Sequence, residues 1–591
     1  MAPSVFDAIE PLPLYRDSLR DSFRENAANF FNRLVEKSGI DADANAATVT
    51  ELRKAEELAA NDERAASLWG WAAGLAITAI VCAIIGAAYL MDCGGPADAI
   101  HAAECAAAAI AAAALLFGLF LPRRRARKDS ALAHRGEAER LRAIASSQMA
   151  PLNALFDWDA PARIIEETLP GLAFDPYFTE GRLAELHDTF GFDLAFTAGK
   201  SVLGAHSGEI NGNPFVFARL LQMDWGSKTY SGSRTVSWVE PERGPDGKIR
   251  IATRTQTLTA SVTKPCPQYS RDTVLLYGND AAPDLSFSRE ATSLSKADDG
   301  FISRLRMKNR IRSLERFSRN LDDEHGYTIM GNREFEALFM TKDRSDEVQY
   351  RLLFTPLAQK QMLELLKDRE VGYGDDFSFL KARKINVIRA SHLETADLDA
   401  NPAKFASIDL AESRRRFQGF CEEFFKATFF SLAPLLAIPL YSQTRTHENI
   451  YRDVLSRTAC YWEYESLANY LGENRFRHPL SVTRNILQTR VVARSGDVAK
   501  VEVSASGFRT VERIDQVPVT ALNGRTYMVA VPWNEYIPVT RTSEFHAAEH
   551  CGMSLSEYRD AASTSAEWQD FFRNWGTDAS RTAFRRGIVS F

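Results

Sequence analysis

Seven cysteines scattered over 591 residues are too few for a disulfide scaffold. A net charge of only −6 gives no general attraction to nucleic acid, so no nucleic-acid partner is expected. Met1 to Pro13 lacks a basic start and an apolar core and carries Asp7 and Glu10, which speaks against a secretory signal. No repeat of fixed period emerges, no sustained heptad is visible, and no strong catalytic constellation stands out.

Long apolar runs, by contrast, are present. Leu68 to Leu90 and Cys105 to Leu121 each approach or exceed the roughly 17–20 apolar residues that a helix needs to cross a bilayer core about 30 Å thick. Arg123, Arg124, Arg125, Arg127 and Lys128 follow the second run, and Arg53, Lys54 and Arg64 precede the first. The connecting loop holds only Asp92, Asp98, His101 and Glu104. Cations beside a span stay on the cytoplasmic side, so both ends of this transmembrane hairpin are expected there.

Gly70, Gly74, Thr78, Cys82 and Gly86 recur every fourth position, a pattern that lets helices approach closely. The expected partner is the alanine surface of Ala106 to Ala109 and Ala111 to Ala114, with self-association between protomers as the alternative. Cys93 and Cys105 at the far ends of the spans are either a disulfide or two helix-end thiols. Cys266, Cys421, Cys460 and Cys551 are expected as reduced thiols.

The remaining composition, 45% hydrophobic and 25% charged, is that of folded protein and allows about three or four domains. The expected fold class is α+β: N-terminal helices and a two-helix transmembrane hairpin, then a large mixed cytoplasmic region with antiparallel hairpins. The boundaries read as a cytoplasmic helical segment (1–66), the hairpin (67–121), a helical stalk (122–165), an α+β domain (166–400) and a C-terminal α+β subdomain (401–591).

Leu19, Phe23, Phe30, Leu34 and Val35 fall near helical spacing; after a break at Gly39 to Asp43, a helix from about Thr48 should run into the first span. Two β-rich runs flank Pro241 to Gly247 and predict a hairpin; Thr273 to Gly278, Tyr350 to Phe354 and Lys384 to Ala390 read as strands. Phe335 to Phe339 and Leu357 to Asp368 read as helices. Asn523-Gly524, between two β-branched runs, predicts a type I′ hairpin turn. A third apolar run, Ala427 to Gln443, has about 14 unbroken apolar residues, Pro434 and Pro439, and cations on both sides, so a buried core helix is expected. A membrane-surface contact or a third span is the alternative.

The stretch from Asn332, with Phe335 and Glu336, Asp346 and Glu347, and then Arg351, Leu352, Leu353, Thr355 and Pro356, resembles the core pattern of an uncharacterised bacterial membrane-anchored family, domain of unknown function number thirty-one thirty-seven. The resemblance covers about a fifth of the chain together with the N-terminal hairpin. It implies a membrane-tethered cytoplasmic domain, here in a bacterial inner membrane, with no catalytic residues to carry over.

Several motifs bear on chemistry. His546, Glu549 and His550 match the H-x-x-E-H spacing of inverted zincins, in which two histidines on one helix face bind zinc and the glutamate is general base. A third ligand would have to come from Glu557, Asp560, Glu567 or Asp570, and an amphipathic helix end is the plainer reading. Tyr373 to Asp376 shows a polymerase-like aspartate pair without a third acid, and Gly226 to Thr229 fails the phosphate-loop spacing. Arg304, Arg306, Lys308, Arg310, Arg312, Arg316 and Arg319 interleave with apolar residues, predicting a helix whose basic face is solvated or in contact with anionic lipid headgroups, with nucleic acid as the remaining alternative. Trp568, Phe571, Phe572 and Trp575 form an aromatic stripe suited to core docking. The leading expectation is a membrane-anchored binding or scaffolding module with no cofactor, engaging protein partners or itself. The alternative is a zinc-dependent hydrolase built on His546 and His550.

Overall fold

High helix propensity continues from Ala42 into the first apolar run, and the chain forms one helix over Ala42–Cys93. Its 52 residues reach about 78 Å at the usual rise, far beyond a bilayer core. Its partner comprises Pro96–Leu115, a π-helical turn at Leu116–Phe120, and Leu121–Leu155. The computed structural model describes residues 10–93, 96–243, 249–292, 301–319, 329–341, 343–444, 458–495, 498–549, 582–584 and 587–590. Two compact units account for the chain: Phe30–Phe156 with Pro402–Gln418, and Met1–Asn29 with Asp157–Asn401 and Gly419–Phe591. They interleave in sequence and cut across the five expected segments.

The first unit is the helical hairpin and its base. Leu52, Ala55, Ala59, Asp62, Ala66, Ala73 and Ala76 are all buried, spaced mostly by three and four as in a heptad seam. Leu52 and Ala55 pack on Ala138 and Leu141; Ala73 and Ala76 pack on Leu116. The absence of a visible heptad is thereby corrected: the seam is built of alanine, which carries little hydropathy signal. The small-residue stripe is corrected too. Gly70 lies against Arg124 and Gly86 against Cys105, but Gly74, Thr78 and Cys82 are exposed. Fourth-position spacing drifts about 40° per step on an α-helix, so the stripe rotates away from the seam. Cys105 is a free thiol beside Gly86, seven residues or about 10 Å of helix from position 93, beyond disulfide reach. At the base, Asn45 donates to the Ile408 carbonyl at 3.0 Å and accepts from the Leu410 amide at 3.0 Å, while Phe405 and Phe417 pack 5.3 Å apart.

The second unit is β-rich. One antiparallel sheet contains β1 (Leu172–Phe174), β2 (Lys200–Ile210), β3 (Asn213–Arg243), β4 (Ile249–Gly278), β5 (Ser286–Arg289), β6 (Phe377–Ala382) and β7 (Ile385–Ala390) in the order β1-β2-β3-β4-β7-β6-β5. The other contains β8 (Ile486–Ser495), β9 (Val498–Thr520), β10 (Thr526–Glu549), β11 (Thr582–Phe584) and β12 (Gly587–Ser590) in the order β11-β12-β10-β9-β8. The expected β3–β4 and β9–β10 hairpins are present, and they meet through Val236, Leu258 and Ala260 against Val529 and Val531. The turn at Asn523-Gly524 differs from expectation. Among the described residues there, only Gly524 has positive φ, and Thr520 pairs with Thr526 around a five-residue loop. The two-residue turn with both φ angles positive is Asn211-Gly212, which joins β2 to β3.

Tyr350 to Phe354 is not a strand. Asp346 caps a helix over Glu347–Leu353 by accepting from the Gln349 amide, burying Tyr350 and Leu353 while Val348 and Leu352 face outward. The apparent alternation was a helical period read over too short a window. Phe335 and Glu336 of the family-like pattern are both buried, Glu336 paired with Arg344. The third apolar run behaves as the expected core: Phe425, Phe429, Leu432 and Leu435 are buried, and Tyr15 packs on Phe430 at 4.8 Å.

Candidate functional site: a cationic cleft

Strand register assembles a cavity of about 400 Å³ in the second unit. Arg219 on β3 pairs with Thr273 on β4, Leu221 pairs with Arg271, and His206 on β2 pairs with Phe217. Because side chains alternate along a strand, His206, Phe217, Arg219, Arg271 and Thr273 share one sheet face. All five line the cavity.

A bulge at Leu203 interrupts β2 and gives the Tyr461–Leu471 helix its seat. Asn469 donates to Ser201 Oγ at 2.8 Å and to the Val202 carbonyl at 2.9 Å. The Val202 amide donates to the Glu465 carboxylate, and so does the Thr489 amide of β8 at 3.2 Å. With amides for partners, Glu465 sits deep in the unit, and burial outweighs those donors to push its carboxyl up to about 8. The docked helix contributes Ser466, Asn469 and Tyr470 to the cavity wall, and Trp158 meets the Tyr470 ring edge-on at 5.5 Å.

Arg219 is the most constrained cation of the cleft. Its Nη2 donates to the carbonyls of Leu393 at 2.7 Å and Ala396 at 2.6 Å, and its Nε donates to Thr273 Oγ1 at 3.3 Å. Burial and then the like charge of Arg271 pull its pKa down, against the attraction of Asp397 and Asp399. Arg484 pairs with Glu473 at 3.5 Å. This is anion-receptive chemistry, and composition gave no sign of it, because Arg219 and Arg271 are far apart in sequence and meet only through register.

A constellation resembling a nucleophilic triad lies elsewhere in the same unit. Asp376 Oδ2 is 2.6 Å from His392 Nδ1, and His392 Nε2 is 2.9 Å from Ser431 Oγ. The geometry does not activate the serine. Ser431 is fully buried within the Leu410–Leu436 helix and donates to the Ala427 carbonyl at 2.7 Å. His392 Nε2 lies 3.0 Å from that same carbonyl, so the imidazole edge and the Ser431 hydroxyl crowd one buried backbone oxygen. Tyr373 stacks on the imidazole at 3.9 Å, so the relay fastens the helix to the sheet.

The remaining sequence candidates fall as follows. Asp375 is fully buried with Arg289 at 2.6 Å while Asp376 turns to His392, so the aspartate pair diverges. Gly226 to Thr229 lies within β3. His546 and Glu549 occupy β10, so the helical premise of the zinc motif is corrected: the backbone there is extended and paired with β9 and β12. His546 faces Lys500 across the β9–β10 pair, and burial and that cation lower its pKa. His550, Cys551, Glu557, Asp560, Glu567, Asp570 and the aromatic stripe at Trp568, Phe571, Phe572 and Trp575 lie outside the described residues. Among the described residues, no three His, Cys, Asp or Glu side chains converge to hold a metal. The basic run does form a helix, Phe301–Arg319, with Leu314 buried, Arg306, Lys308 and Arg312 exposed, and Arg310 half-buried. The side chain of Arg304 lies outside the described set.

Comparison of the chain with protein-family models, with curated proteins and with solved structures finds no match in any of the three.

Proposed function

We propose that the chain is an integral protein of a bacterial inner membrane, in which the helical hairpin holds an α+β binding module at the cytoplasmic face. One observation carries this reading: both long helices contain an 18-residue window of mean hydropathy 2.2 of which only 6% is buried. Leu68, Trp71, Leu75 and Ile85 on the first helix and Ile110 and Phe117 on the second are exposed. Removing such a side chain from water contributes about 1.5–3 kcal/mol, and a bilayer supplies the missing apolar surroundings. Arg123 lies over the Trp69 ring at 5.0 Å where the apolar run meets the basic cluster, an arrangement suited to the headgroup layer. The family resemblance at Asn332 to Leu366 points to the same tethered architecture.

Within this reading the module recruits partners rather than breaking bonds, and the cations from Arg304 to Arg312 add contact with anionic lipid. The chain should stay in the membrane pellet after alkaline carbonate extraction. With the seven native cysteines replaced by serine, a thiol introduced by Asp92→Cys should be labelled only from the non-cytoplasmic side. Changing Arg306, Lys308, Arg310 and Arg312 to glutamine should lower co-purified anionic lipid, at about 1 kcal/mol per cation. Release of the intact chain by carbonate would overturn the anchor.

A further inference from the structure

The cleft beside the β2 bulge carries a surplus of guanidinium groups that the fold leaves only partly engaged. Arg219 spends Nε and Nη2 on Thr273, Leu393 and Ala396, which locks the plane of the group and keeps its Nη1 edge for another acceptor. Arg271 sits diagonally across the β3–β4 pair, a separation of about 7–8 Å that long side chains readily bridge. It is exposed, and its positive charge repels that of Arg219. Asp397 and Asp399 offset part of the repulsion between the two guanidinium groups, and an anion bound between them would relieve the rest. Of the two carboxylates lining the cavity, Glu473 is paired with Arg484 and Asp399 attracts Arg219.

We propose that this cleft binds the phosphoryl group of a small phosphate monoester, with Arg219 and Arg271 as its cationic clamp. The inference rests on the binding-module reading and names the ligand class of that module. A carboxylate would neutralise one guanidinium; a phosphate monoester carries about −1.5 to −2 charge at neutral pH and presents three acceptor oxygens, which matches two. The preorganised Arg219 loses little freedom on binding, and Arg271 closes from the strand beside it. Trp158 and Tyr470 supply an aromatic wall for the organic part of the ester. Asp399 opposes binding and limits affinity for inorganic anions in general.

Isothermal titration of the full-length chain in phosphatidylcholine nanodiscs with phenyl phosphate tests this. One saturable site is expected, with no response to phenol, and with affinity falling as pH drops through about 6, where the ester loses its second charge. Arg271→Gln should weaken binding about tenfold, the loss of one charge-assisted contact. That exposed side chain makes no fold contact of the kind Arg219 makes, so the test does not hinge on an unfolded variant. Asp399→Asn should strengthen binding. Competition by phosphatidic acid placed in the nanodiscs would identify a lipid headgroup as the source of the phosphate, and no competition would identify a free metabolite. Absence of saturable phenyl phosphate binding by folded protein, or an unchanged Kd in Arg271→Gln, overturns the proposal. A chain that binds phenyl phosphate yet is released by carbonate refutes the membrane anchor alone.

Discussion

Residues 68–90 and residues 427–438 are both apolar and both largely helical, yet their side chains meet opposite surroundings. Leu68, Trp71 and Leu75 are 71%, 75% and 71% exposed, whereas Phe429, Leu432 and Leu435 are 2%, 1% and 2% exposed. The longer run meets its partner helix through a narrow alanine seam and leaves its large residues outside. The shorter run is wrapped by aromatic rings and carries Ser431, whose hydroxyl is returned to its own helix. Apolar composition therefore does not distinguish a helix with an exposed apolar surface from a core helix. Length, proline and the distribution of large and small residues around the helix do.

The sharpest way to break this comparison is to truncate one large residue in each run. Phe429→Ala should destabilise the α+β unit by about 3–5 kcal/mol, because a rigid aromatic core cannot close the cavity. Leu75→Ala should change its unfolding by no more than about 0.5 kcal/mol. Urea denaturation followed by near-ultraviolet circular dichroism measures both, and equal losses would remove the distinction.

Buried carboxylates extend the contrast to pH. Glu465 has its pKa raised from an ordinary 4.5 to about 8, so the folded state retains a proton that the unfolded state releases. Stability from this group is complete below about pH 4.5 and is lost as pH rises toward 8, by on the order of 3–5 kcal/mol. Glu465→Gln should remove that slope in thermal unfolding between pH 5 and 8. Asp62, in the hairpin, accepts from Ser130 and from Arg127, which hold its carboxyl below the usual range. Its contribution has the opposite sign: present above the ordinary carboxylate pKa and lost on acidification. The two units should therefore loosen at opposite ends of the pH range.

The smallest effects probe the seam itself. Ala76→Phe should cost about 1–3 kcal/mol by wedging the helices apart. Gly74→Ala, where nothing lies within 4 Å of the added carbon, should stabilise the helix by up to about 1 kcal/mol. Thermal unfolding of the detergent-solubilised chain, followed by helical circular dichroism, separates the two.

Much of the architecture was legible because its causes are local. The β3–β4 and β9–β10 hairpins follow from β-branched runs around turn residues, and the long helices from uninterrupted propensity. Asn211-Gly212 carries the same turn chemistry in sequence as Asn523-Gly524, and there both φ angles are positive. Tyr350 to Phe354 misled because five residues cannot separate a period of two from one of 3.6, and the capping Asp346 was the better signal. H-x-x-E-H states a helical spacing, whereas His546 lies on a strand paired with Lys500 and Ser590.

By itself, the sequence determined which segments are apolar enough to span a bilayer, where cations bound them, and which turns reverse the ribbons, since these depend on neighbours only a few residues away. Tertiary structure alone decided that the hairpin seam is alanine and that Asp376, His392 and Ser431 form a fastening. It also decided that Arg219 and Arg271 face one cleft. Those outcomes depend on strand register and on contacts between distant segments, and a shift of one residue along β4 would turn Arg271 to the opposite face.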